Sequence, residues 1–441
     1  TLRPGRSCTF IASAEPPGPD FPDPDGALAG RRSAHAHIAA VRPTGRPVDH
    51  LAAALAEAAD QFVVTRQAAT AGASTGPSLI AGYHWFTDYT RDSLIALPGV
   101  LLDAGRVSDA AALLRLLAGY LRDGLIPSRF PEEGAAAEYD AVDGSLLYFR
   151  AVAQALAAGA DRTLAAELYP TLREIIQRYQ TGTRYGIGMD PGDGLLRAGE
   201  HVEGRPPTHL TWMNAHVHER VNTPRIGKPV EVNALWIEAL TLMAKWAAEG
   251  PEDATSYRGI AKQARASFAE RFWYEEGGYL FDVVDGPDGN DSSLRPNQLF
   301  ALAHLPSLVS RTKGERALAA IEEHLLTPFG LSTLAPSDPR YKGRYVGNED
   351  DRDRAYHQGA VWPWLLGPYV DAHRRVRGRL PDLDLLLEPF VGHLRAAGLG
   401  TISEIFDGDA PHAPRGCIAS AWSVGELARL AHLAQGESAS D

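Results

Sequence analysis

Glu404 is a carboxylate set among apolar neighbours. In the segment GTISEIFDGDAPHAPRGCIASAWS it stands close to Ile402, Ile405 and Phe406. Partial desolvation of this kind raises a carboxyl pKa and tunes a general base; a solvated loop glutamate is the other reading. A second group closes GYHWFTDYTRDS, which ends in Arg91-Asp92. A guanidinium fork beside an acceptor suits vicinal hydroxyl groups, and an Asp92 N-cap partnered by Arg91 would look the same. A third, YVGNEDDRDRAYHQGAVWPWLLGPY, joins His357, Gln358, Trp362 and Trp364 to a run of acids. The acids read as solvated, whereas the His-Gln and Trp-Pro-Trp set is too dense to be core filler. In EYDAVDGSLLYF, Asp143 and Ser145 read as helix caps, and Tyr139 and Asp140 are placed to line a cleft.

The richest stretch is HLTWMNAHVHERVNTPRIGKPVEVNALW, residues 209–236. Its Trp212 and Trp236 suit either stacking on sugar rings or packing in a core. His209, His216 and His218 suggest a metal, but no HExxH or cysteine partner accompanies them. The expectation is no metal and no cofactor. GASTG, residues 72–76, fits GxSxG in form only, because it follows a helix and precedes Pro77.

Helices must position these groups. Apolar periodicity predicts about twelve, over 48–70, 92–104, 107–122, 143–158, 161–180, 230–248, 252–272, 296–304, 313–326, 357–376, 381–397 and 418–434. GGYLFDVV is the chief strand pattern among them. Half of the helices are polar-faced; the others start from loops rich in aromatic, Gly, Pro and charged residues. Six of the eight tryptophans lie in or beside those six decorated starts. Six helix pairs with the chemistry at one class of connection predict an all-α fold, an (α/α)6 barrel with one cleft at the helix N-termini. A tetratricopeptide scaffold, with repeats of about 34 residues and short turns, does not accommodate the loop over 181–229.

The predicted domains are 48–441, the barrel, and 1–47. The latter reads as the end of an upstream β domain, carried by LRPGRSCTFIASAE, plus a Pro/Gly-rich linker; the chain starts at Thr1, not Met. In bulk, 44% hydrophobic and 22% charged residues are globular values, and the net charge of −12 argues against nucleic acid or an anionic membrane as partner. Two cysteines build no disulfide framework and favour a reducing, cytoplasmic setting. No apolar run reaches the roughly 18 residues of a membrane span.

Taken in order, AGYHWFTDYTRDSLIALPG, GLIPSRFPEEG, EYDAVDGSLLYF, LTWMNAHV, TPRIGKPVEVNALW, RPNQLFA, YHQGAVWPWLLGPY and GTISEIFDGDAPHAPRGCIASAWSVGELAR resemble the C-terminal, amylo-α-1,6-glucosidase domain of glycogen debranching enzymes. The resemblance covers about residues 48–435. It implies an (α/α)6 barrel that removes the α-1,6-linked glucose stub of a branched α-glucan (glycogen, limit dextrin or maltooligosaccharide) with inversion. Such catalysis uses two carboxyl groups about 6.5–9.5 Å apart, one protonating the leaving oxygen and one deprotonating water. By position the base is Glu404, and the acid, the aspartate of TWMD in the family, is Asn214 here. Arg91 and Asp92 would grip the glucose, with Trp85, His357 and Trp362 around it. Asp143, Trp212, Arg225, Lys228, Glu231 and Gln358 complete the implied substrate-binding set.

Asn214 departs from the family's pattern, because an amide donates no proton at a useful pKa. Three explanations stand: a chain altered to trap a ligand, a natural glucan-binding module without activity, or another acid among Asp190, Glu200, Glu203 and Glu219. Other glucosidases expected of this barrel are of glucoamylase, trehalase or glycosylglycerate hydrolase type.

Overall fold

Two kinds of helix in the sequence become two layers. In Thr163–Thr181 the apolar residues Leu164, Leu168, Leu172, Ile175, Ile176 and Tyr179 form one buried stripe, as on a helix with one face in water. Val230–Glu249 instead buries Val232, Leu235, Trp236, Ala239, Leu240, Met243 and Trp246, almost all round. Such a helix needs neighbours on every side.

A computed structural model describes residues 47–66, 75–130, 136–200, 208–217, 220–250, 253–304 and 308–438, with 23, 25–26 and 28–29. Its helices are α1 (Pro47–Asp60), α2 (Thr90–Leu97), α3 (Val107–Ala118), α4 (Asp143–Ala157), α5 (Thr163–Thr181), α6 (Val230–Glu249), α7 (Thr255–Arg271), α8 (Leu299–His304), α9 (Arg311–His324), α10 (Glu349–Tyr356), α11 (Leu366–Arg377), α12 (Leu383–Ala396) and α13 (Ala421–Ser438). Packing runs from α2 to α4, α6, α8, α11 and α13, and from α13 back to α2, a closed cycle. The intervening helices lean on that ring: α3 on α4, α5 on α4 and α6, α7 on α6, α9 on α11, and α1 and α12 on α13. Among the described residues, no helix is long and apolar enough to cross a membrane.

Each ring helix is entered from a loop, and short strands brace those loops. The largest sheet is antiparallel, in the order Leu326–Thr327, Gly330–Ser332, Val361–Trp362, Ile405–Phe406, Pro414–Arg415. It places Trp362 and the residues after Glu404 on neighbouring strands. Tyr83 pairs with Ala419, so the loop before α2 lies against the loop before α13.

The structure corrects the predicted elements in places. The stretch 48–70 ends as a helix at Asp60 and continues as the strand Val63–Arg66. The stretch 357–376 is helical only from Leu366, after a short turn at Pro363–Leu365; Pro363 has no N–H for an earlier helical turn. The acid run before it forms α10, which Asn348 caps through its side chain. The β segment and linker predicted over 1–47 lie almost wholly outside the described residues.

One close approach needs glycine. The π-helical turn Pro98–Leu102 that follows α2 packs on α13, and a Cβ on Gly99 would overlap the carbonyl group of Gly425. Overpacking of this kind costs about 1–3 kcal/mol or more. Gly99→Ala is therefore expected to lower the thermal midpoint by several degrees, and an unchanged midpoint would mean the two elements separate at little cost.

Candidate active site

Glu404 stands just before the strand Ile405–Phe406, 4% exposed. Both carboxylate oxygens are held. The Tyr356 hydroxyl donates to Oε1, and the Cys417 backbone N–H donates to Oε2 at 2.9 Å. A Cβ on Gly416, whose φ is +67°, would overlap the Glu404 carboxylate, so glycine is needed for both backbone and space. Burial pushes the Glu404 pKa up to about 7, against the hydrogen bonds from Tyr356 and Cys417.

Asp92, in the first turn of α2, shares this environment. Burial drives its pKa to about 7, Arg91 opposes that rise, and the charge of Glu404 adds to it. The Glu404 charge thus reaches Asp92 and disfavours its ionised form. The Arg91 fork is turned elsewhere: Nε and Nη2 donate to Asp143 at 2.9 and 2.7 Å, with both side chains buried. This corrects two expectations. Arg91 partners Asp143 across 52 residues rather than Asp92, and Asp143 ties α4 to α2 instead of capping its own helix.

The wall from 209 to 231 is built on its own polar network. Arg225 is enclosed by Glu231 and Asp282, with Nε to Asp282 Oδ2 at 2.7 Å and Nη2 to Glu231 Oε2 at 2.6 Å. Asn297 donates to Asp282 at 2.7 Å and accepts from Trp212 Nε1 at 2.7 Å. Arg295 donates to the His357 carbonyl at 2.8 Å and to Gln358 Oε1 at 2.7 Å. Gln358 in turn donates to the Asn222 carbonyl at 3.0 Å. Lys228 Nζ lies 2.8, 2.6 and 2.9 Å from carboxylates of Asp190, Asp193 and Asp285. Those three acids are near enough to ligate a cation together, and the ammonium group is seated among them. Arg225, Lys228, Glu231 and Gln358 accordingly spend their polar atoms on the protein, which the sequence motif does not reveal.

Trp212 is buried edge-on against His357, Trp362 and Trp364, with centroids 5.3, 5.4 and 5.1 Å away. His357 stacks on Trp362 at 5.4 Å. Trp212 and Trp362 are therefore packed in the core, whereas Trp85 is 59% exposed. The His357 ring accepts at Nδ1 from the Ala215 N–H at 3.3 Å, while its buried Nε2 has no partner among the described residues. Burial and the charges of Arg295, Arg91 and Arg225 hold His357 well below its usual pKa, so Nε2 carries the hydrogen of a neutral ring.

Asn214 is half-buried beside Ala215. Ala215 bonds His357, and the preceding residue, Tyr356, bonds Glu404. Residues 214 and 404 thus flank the same Tyr356–His357 pair. Of the other acids considered, Asp190 is committed to Lys228 and Glu200 is exposed; Glu203 and Glu219 lie outside the described residues. Sequence reasoning missed Tyr356, Asp282, Arg295 and Asn297. Tyr356 carried a signal in its place beside His357, and Arg295 and Asn297 in the motif RPNQLFA; Asp282 had none beyond a strand pattern.

A family model described as Amylo-alpha-1,6-glucosidase matches residues 57–429. The glycogen debranching enzyme of Saccharomyces cerevisiae is 25% identical over 390 residues, 67% of this chain but 25% of that enzyme's length. Among solved structures, the GH63 mannosylglycerate hydrolase of Thermus thermophilus superposes with a TM-score of 0.60 at 15% identity, over 87% of this chain and 100% of that one. The neutral trehalase Nth1 of S. cerevisiae does so with 0.60 at 13% identity, over 85% and 79%. These two likenesses are of fold.

Removing one partner from a buried ion network costs about 3–5 kcal/mol. Arg225→Met leaves Glu231 buried without its cation, and Asp282 with only the more distant Arg295 at 3.7 Å. Its unfolding free energy in urea is expected to fall by about that amount, and a fall below about 1 kcal/mol would show that the two acids find other partners.

Proposed function

The chain belongs to the amylo-alpha-1,6-glucosidase family, and we propose that it is a glycoside hydrolase of the debranching type. The ring α2–α4–α6–α8–α11–α13 is read as the inner layer of an (α/α)6 barrel, and the cleft at its loops as the seat of one glucose unit. The substrate is the α-1,6-linked glucose stub of a branched α-glucan. The observation that carries this reading is Glu404, a buried carboxylate fixed at both oxygens and raised to about 7. A carboxylate so placed takes a proton from water as the water attacks the anomeric carbon. Its rigid seat orients the base, and its low-dielectric surroundings raise its basicity. Asp92 offers an acceptor to sugar hydroxyls, the unpartnered His357 Nε2–H offers a donor, and exposed Trp85 offers a stacking face.

Bond cleavage also needs a proton on the departing oxygen, and the group assigned to that place is the amide of Asn214. That amide favours a second reading, a module that binds branched glucan without cutting it. Glucose release from a phosphorylase-limit dextrin separates the two. Asn214→Asp is expected to raise turnover by up to about 10²–10⁴-fold. Binding without turnover in either form supports the module, and a folded Asn214→Asp chain no faster than an active parent means that the parent already holds a proton donor other than residue 214.

The base also sets the pH dependence. Glu404 works only when ionised, so on α-D-glucosyl fluoride, whose leaving group needs no proton, kcat/KM is expected to rise as pH increases through about 7. Tyr356→Phe deletes a hydrogen bond that favours the ionised form, which moves that limb to higher pH. A limb that stays put in this variant would show that another group is titrating.

A further inference from the structure

His209 and His216 stand on either side of Asn214 in sequence and meet in space. Their rings are parallel, 6° apart in plane and 4.2 Å between centroids. His216 Nδ1 lies 3.1 Å from the Asn214 carbonyl oxygen. The backbone next to His209 is held too: the Leu210 carbonyl accepts from the Val142 N–H at 2.9 Å, against the start of α4. His209 is half-buried there, within the field of Arg91 and Asp140. His216 is exposed on the strand His216–Val217, paired with Arg220–Val221, and Asp353 on α10 feels its charge together with that of Arg220.

We propose that this imidazole pair supplies the proton that the amide of residue 214 cannot, acting as the general acid on the departing oxygen. The inference rests on the glucosidase reading above. Two imidazolium rings in face-to-face contact repel, so the stack favours one shared charge over two. Burial and the neighbouring His216 both lower the pKa of His209, which makes its charged form a readier donor. His216 Nδ1 faces the Asn214 carbonyl, so Nε2 is the ring nitrogen left to pass a proton to the departing oxygen. The step balances. As the anomeric carbon–oxygen bond breaks, its electron pair goes to the departing oxygen, which takes the imidazolium proton and leaves as an alcohol. Water forms the new bond to that carbon and gives its proton to Glu404. The imidazole regains a proton from solvent, and Glu404 releases one.

α-D-Glucosyl fluoride tests this, because fluoride departs without a proton. The parent chain, His209→Gln/His216→Gln, and that double variant with Asn214→Asp are assayed on the fluoride and on an α-1,6-glucosyl-maltooligosaccharide. Fluoride turnover also reports whether each variant keeps an assembled site. The double variant is expected to lose about 10²–10⁴-fold more on the oligosaccharide than on the fluoride, and the added aspartate is expected to restore the oligosaccharide rate. An unchanged ratio between the two substrates overturns the inference and leaves the glucosidase reading standing. So does a parent that cleaves the fluoride but not the oligosaccharide. A parent inert on both overturns the glucosidase reading itself.

Discussion

The Arg225 guanidinium, closed between Glu231 and Asp282, is the interaction on which the loop before α6 depends. All three side chains are almost without solvent contact. Arg225 comes from the loop, Glu231 from the first turn of α6, and Asp282 from the segment before Val283–Gly286. One cation therefore ties its own loop and the helix start six residues on to a segment 57 residues away. Asp282 extends the tie to Asn297, and Asn297 extends it to Trp212. The position of Trp212, and so of residue 214 two places on, is thereby set from the ring of helices. Two further cations repeat the device. Arg295 anchors the His357 carbonyl and Gln358, and Lys228 gathers Asp190, Asp193 and Asp285. Buried ion networks of this sort add little net stability over apolar packing, but they tolerate few alternative geometries.

That rigidity carries into the chemistry. Glu404 and Asp92 are held in a place that disfavours their own ionisation; the Arg91 fork is given to Asp143, and its charge only partly offsets the burial of Asp92. A carboxylate neutralised by an arginine would be a weak base. Here Tyr356 and the Cys417 N–H restrain the Glu404 side chain without supplying a full positive charge. The same logic leaves His357 neutral among three arginines, with one ring nitrogen on Ala215 and the other open. Aromatic rings behind these groups exclude water, which keeps the local dielectric low and the pKa shifts large.

Much of this was legible before any coordinates. The helical periodicities fell within a few residues of the observed elements for α3 to α7, where an apolar stripe runs uninterrupted to a clear cap or loop. Periodicity misjudged 48–70 and 357–376, where a strand or a proline turn continues an apolar run without changing its hydrophobicity. The short strands around the cleft were nearly invisible, since two-residue pairings leave no alternation to read. Glu404 stood out by its apolar neighbours, and burial is what raises it. Tyr356 did not, because a tyrosine becomes a carboxylate's donor only through a contact 48 residues away.

By itself the sequence determined the residue types at each helix start, the amide at 214, the length of helix available and the glycines that permit close approach at 99 and 416. Those are covalent facts, or consequences of local periodicity. Only the tertiary structure decided which charges are consumed and which remain. Arg91, Arg225, Lys228 and Gln358 look like ligand-binding groups in a one-dimensional reading, yet each is satisfied by partners from other loops. Asp92, His357 and the His209–His216 stack keep chemistry in reserve. The reason is physical: a buried polar atom must find a partner, and the partner is chosen by packing across the ring rather than by neighbours in the chain.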